Sequence, residues 1–114
     1  MKKITIQLNN KSIVFENIHH CFITHNLLIW ETFESGLLVK HSVCLDDLLS
    51  FVIVEDDYNL YNGKIQFCDF KNYEYDFLFK IKFNSRELQF CMRDDFNNEY
   101  SDIFLLSELK QIYF

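Results

Sequence analysis

The sequence contains no proline and no alanine, and its only glycines are Gly36 and Gly63. Without proline there is no proline-rich ligand segment or stiff linker to expect. Two glycines cannot form a phosphate-cradling glycine loop. Turns must then rest on Asn, Asp and Ser, which tolerate left-handed backbone or bond to nearby backbone groups. Such residues separate the apolar runs at Asn9-Asn10, Asn59, Asn62, Asn84 and Asn97-Asn98. No run of eighteen apolar residues occurs, so no membrane-spanning helix is expected. The start, MKKITIQLNN, has two lysines but then alternates polar and apolar, whereas a signal peptide needs an unbroken apolar stretch. The expected compartment is therefore the cytoplasm. No basic patch interleaved with aromatics is present, and the net charge is −6, which disfavours direct nucleic-acid binding.

What the chain does have is aromatic and apolar mass. Of 114 residues, 49% are hydrophobic and thirteen are Phe, enough for one domain, residues 1–114, with one core. Aromatic and β-branched residues favour pleated surfaces, so the composition leans toward β. Cys21, Cys44, Cys68 and Cys91 are expected to be free thiols in a reducing compartment.

The apolar pattern has period two over most of the chain. Residues 3–8 and 12–15 predict an opening hairpin, and residues 21–25, 27–33 and 37–45 further strands, the last two joined by a Ser35-Gly36 turn. Residues 46–53 allow two readings: a short helix capped by Asp46, which is preferred, or a buried strand over residues 51–54. A strand is expected over residues 65–70. Residues 73–83 alternate most cleanly, with Tyr73, Tyr75, Phe77, Phe79, Ile81 and Phe83 on one face, which predicts one long strand. Leu88, Phe90 and Met92 continue the pattern. Leu105, Leu106, Leu109, Ile112 and Tyr113 instead recur at three and four, the spacing of an amphipathic helix. The expected fold is α+β: a twisted antiparallel sheet of six to eight strands with one C-terminal helix and a short helix near 46–53. Its expected core includes Phe77, Phe79, Ile81, Phe90, Leu105 and Leu109, and Phe79→Ala is expected to cost about 3–5 kcal/mol. Gln66-Phe67-Cys68 echoes Gln89-Phe90-Cys91, which raises the question of two similar strand-and-loop units.

Charge is segregated. Residues 55–62 (EDDYNLYN), 69–76 (DFKNYEYD) and 94–102 (DDFNNEYSD) hold ten of the seventeen carboxylates, five of the six tyrosines and one cation, Lys71. Their formal charge is −9, against +3 for the rest of the chain. Carboxylates steer a cationic partner and aromatic residues anchor it. The candidate partner-binding residues are Asp56, Asp57, Asp94, Asp95 and Glu99 for steering, and Tyr58, Tyr61 and Tyr100 for anchoring.

Three other constellations have residue types that bear on chemistry. Cys21-x3-His25 and His41-x2-Cys44 offer four zinc-type ligands, but positions three apart on a strand point to opposite faces, so no metal is expected. His19-His20 lacks a nucleophile or an orienting group. Asp57 followed by Asp69-Phe70-Lys71 has the acid, acid-x-Lys pattern of Mg²⁺-dependent nucleases of the restriction-endonuclease-like fold. The leading expectation is a protein that is not an enzyme and carries no cofactor.

In its size, acidity and wealth of Phe, Tyr and Asn, with EDDYNLYN and DDFNNEY as toxin-facing stretches, the chain resembles small bacterial immunity proteins, including those of contact-dependent growth-inhibition systems. The resemblance implies neutralisation of a basic, nuclease-type toxin by occlusion of its active site. In size and charge the chain is also similar to phage-encoded anti-defence proteins, including mimics of nucleic-acid charge. The nuclease pattern supplies a further alternative, a Mg-dependent enzyme.

Overall fold

A computed structural model describes residues 1–56 and 62–114. Among these the chain forms β1 (Lys2–Gln7), β2 (Ser12–Phe15), β3 (His19–Thr24), β4 (Leu27–Glu34), β5 (Leu37–Cys44), β6 (Ser50–Glu55), β7 (Asn62–Phe67), β8 (Asn72–Asp76), β9 (Leu78–Asn84), β10 (Glu87–Arg93), β11 (Glu99–Leu105) and β12 (Leu109–Tyr113). They make two antiparallel six-stranded sheets. The first has the order β11-β10-β9-β6-β1-β2, the second β5-β4-β3-β12-β7-β8. Alternate residues of both, such as Ile4, Phe51, Ile81 and Phe90 from the first and Ile23, Trp30, Ile65 and Ile112 from the second, enter one shared core.

The fold is thus nearly all β, not α+β, and has twelve described strands where six to eight were expected. The C-terminal helix does not form. Residues 106–108 make a single 3-10 turn and β12 follows directly. The turn spaces buried Leu106 and Leu109 by three. A register shift between Leu109 and Gln111 then spaces Leu109 and Ile112 by three again. A tight turn followed by a bulge imitates helical periodicity. The short helix preferred near 46–53 reduces to the 3-10 turn Leu45–Asp47, and residues 50–55 are strand, which fits the alternative reading of residues 51–54.

The expected long strand over residues 73–83 is two strands in different sheets. Phe77, at φ 62°, breaks the alternation between β8 and β9. Beyond it the inward set becomes Leu78, Ile81 and Phe83, because Leu78 and Phe79 together oppose Met92 in a bulge. Of the expected core, Ile81, Phe90 and Leu109 belong to it. Phe77 and Leu105 are 45% and 48% exposed. Phe79 is buried as expected, at 6% exposure, beneath the Arg93 guanidinium at 4.4 Å, although among the described residues it is not part of the shared cluster.

The two halves of the chain repeat each other. Exchanging β1–β6 with β7–β12 turns one sheet's strand order into the other's. Buried Leu28, Leu45 and Leu48 recur as Leu88, Leu106 and Leu109, and Phe51 as Ile112. The hairpin turns His25-Asn26 and Ser85-Arg86 share left-handed backbone, and Asn26 and Arg86 accept through their carbonyls from the N–H groups of Leu45 and Leu106. Asn17 and Phe77, both left-handed, mark where the chain crosses between sheets. Each sheet therefore takes three strands from each half. The Gln-Phe-Cys echo is not this repeat: one copy runs off the end of β7 and the other lies within β10.

Candidate partner-binding surface

Strand register gathers most of the described candidate residues at one end of the first sheet. Glu55 at the end of β6 pairs with Lys2, Leu78 at the start of β9 with Met92, and Arg93 at the end of β10 with Glu99. Asp56 therefore leaves the sheet at the same end as the turn from Asp94 to Asn98. Asp76 closes β8 nearby, since the next residue, Phe77, accepts the Arg93 N–H through its carbonyl at 3.2 Å. Asp57, Tyr58 and Tyr61 lie outside the described residues.

The five described candidates have different roles. Asp94 organises the turn: its Oδ1 accepts the backbone N–H groups of Phe96 at 3.0 Å and Asn98 at 2.8 Å, and its Oδ2 accepts Asn98 Nδ2 at 3.2 Å. The backbone hydrogen bond from Asn98 chiefly holds its carboxyl below the usual carboxylate range. Glu99 binds Arg93 Nη2 at 2.7 Å. Asp95 is exposed, and Asp56 lies 3.8 Å from the Met1 amine. Tyr100 is 53% exposed, on the side of β11 that opposes buried Met92.

Sequence reasoning missed Phe96, which tops this turn at 86% exposure. The signal was present: Asp94 and Asn98 four apart are a loop-closing pair, and whatever stands between them projects outward.

The third acidic stretch does not join the other two along its whole length. Asp69 and Lys71 form an exposed turn at the far end of β7, with 3.8 Å between Oδ2 and Nζ. From there β8 runs back toward Asp76, carrying Tyr73 and Tyr75 opposite Ile65 and Gly63.

The cysteines and histidines are dispersed. Cys21 is buried in the core, and burial pushes its thiol up to about 12. Cys44 accepts from Asn26 Nδ2 at 3.5 Å. His41 stacks on Trp30 with ring centroids 5.4 Å apart and shares a 2.8 Å hydrogen bond with Thr32 Oγ1. His25 lies in a hairpin turn. Among the described residues no three His, Cys, Asp or Glu side chains converge as a metal site. No helix among them is long and apolar enough to cross a membrane. Comparison with protein families, curated proteins and solved structures gives no match.

Proposed function

We propose that this protein acts by binding, as an inhibitor of a basic protein partner, and that it serves in the cytoplasm as an immunity protein covering the active site of a nuclease-type toxin. The observation that carries the reading is the gathering of Asp56, Asp95, Phe96 and Tyr100 at one end of the first sheet, around a turn that Asp94 holds in shape. A preorganised turn loses little entropy on docking. A large exposed aromatic beside an exposed carboxylate suits a basic surface, the ring for burial and the charge for steering.

Capture of the partner from the source cell, followed by binding kinetics over a salt series, tests this. Asp95→Lys should chiefly slow association, and more so at low salt. Phe96→Ala should chiefly speed dissociation, by an amount worth about 2 kcal/mol. An acidic partner, or rates untouched by both substitutions, would refute the proposal. Incubation with nucleic acids and Mg²⁺ tests the enzyme alternative, in which turnover would be lost in Asp69→Ala.

A further inference from the structure

Strands β8 and β11 are edge strands of different sheets, and a groove of about 440 Å³ lies between them, lined by residues of both. Tyr100, Asp102 and Phe104 alternate along one side of β11 opposite the core residues Met92, Phe90 and Leu88, so that side of the strand leads from the acidic end into the groove. Its aromatic wall is continuous: Phe67 meets Tyr73 at 5.3 Å and Phe104 at 5.2 Å, and Tyr75 lies flat on Phe90 at 5.7 Å. The Asp102 carboxylate lies close enough to the Tyr75 hydroxyl for its charge to help raise that hydroxyl's pKa. Asp69 also lines the groove but is occupied by Lys71. Asp102 is exposed, and the two oxygens of its carboxylate can accept a forked donor.

The internal repeat supplies the comparison. At the equivalent place in the first half, Phe15 packs against Trp30 and His41, each at 5.0 Å. In the second half tyrosine replaces that phenylalanine and aspartate replaces that histidine. A stack of three rings, one of them a histidine, has become a carboxylate set among aromatic rings.

We propose that this groove receives an arginine side chain of the partner, its guanidinium paired with Asp102 and resting on the rings of Tyr73, Tyr75 and Phe104. Aromatic faces attract a cation, and a planar guanidinium both stacks on a ring and forks onto a carboxylate. The inference rests on the basic-partner reading for the source of the arginine, though not for the chemistry of the groove.

N-acetylarginine methylamide is the probe and its citrulline analogue the uncharged control, followed by the backbone amide spectrum of the whole protein. The arginine probe should produce saturable shifts at Tyr73, Tyr75, Asp102 and Phe104, with the citrulline analogue at least about five-fold weaker. Asp102→Asn should weaken the arginine probe by a similar factor, and Tyr73→Leu, at a half-exposed ring, should weaken it as well. Equal response to citrulline, or no saturable shift on β8 and β11, overturns the proposal. Shifts confined to the Asp94 turn overturn the groove and leave the basic-partner reading standing. Arginine binding in the groove together with capture of an acidic partner does the reverse.

Discussion

At the scale of the residue, the chemistry is set by small differences in surroundings. Burial first, then the charge of the nearby Asp102 carboxylate, push the Tyr75 hydroxyl up to about 12 from an ordinary 10.0. A raised pKa means the folded state favours the protonated hydroxyl. Its contribution is then fully present below pH 10.0 and is lost as pH rises through about 12. The phenolate absorbance titration of the folded protein should retain a component near pH 12 that Tyr75→Phe removes. Amplitude lost near 10.0 instead of near 12 on that substitution would contradict the raised pKa of Tyr75. Sequence gave the residue types for this, since Tyr75 and Asp102 both stand in acidic stretches, but not their meeting, which needs two edge strands from different sheets. In the same way, Asp94, Asp95 and Glu99 were legible together as an acidic loop. Their division into a turn organiser, an exposed charge and an ion-paired carboxylate depends on hydrogen bonds that composition does not encode.

At the scale of the element, period-two reading worked where strands are regular and failed where the phase changes. The hairpins of β1 with β2 and of β4 with β5, and the left-handed Ser35-Gly36 turn, match the pattern closely. The misread segments are those with a 3-10 turn, a bulge or a left-handed residue, each of which shifts the inward set by one. Phe77 is the sharpest case. A bulky side chain at φ 62° is disfavoured by about 1–2 kcal/mol. The equivalent crossover in the first half uses Asn17, a residue that tolerates this conformation. Phe77→Asn should therefore raise the urea midpoint, by about 1 kcal/mol of stability, since the lost ring is half exposed. A lowered midpoint would mean that the ring's contacts outweigh the strain. Gly63 is constrained differently: an added Cβ would collide with the fully buried Leu78 side chain, so Gly63→Ala should destabilise by about 1–3 kcal/mol in the same assay.

At the scale of the whole molecule, the exchange of strands between halves means that neither half holds a complete sheet. The β6–β9 and β12–β3 pairings join the halves, with Phe51 opposite Phe83 and Ile112 opposite Ile23. Such non-local pairings slow folding relative to local ones. They also predict complementation. Fragments 1–56 and 62–114, each without a native fold alone as a monomer, should recover the strand signature and size of the intact chain when refolded together. Circular dichroism and size-exclusion chromatography would show this, and a fragment that is folded and monomeric by itself would contradict it. None of this was legible beforehand, because the repeat survives in buried leucines and turn geometry more than in shared residues.

The edge strand β11 has a consequence for the protein in storage. Among the described residues no strand pairs with its outer edge, which runs beside exposed Ile103 and Leu105, an arrangement that invites strand-to-strand association between copies. At neutral pH the net charge of −6 holds copies apart. Near the isoelectric point of 5.1 that repulsion disappears. Light scattering should therefore climb as the solution is acidified toward it, and Ile103→Lys should suppress the rise by placing a cation on the sticky edge.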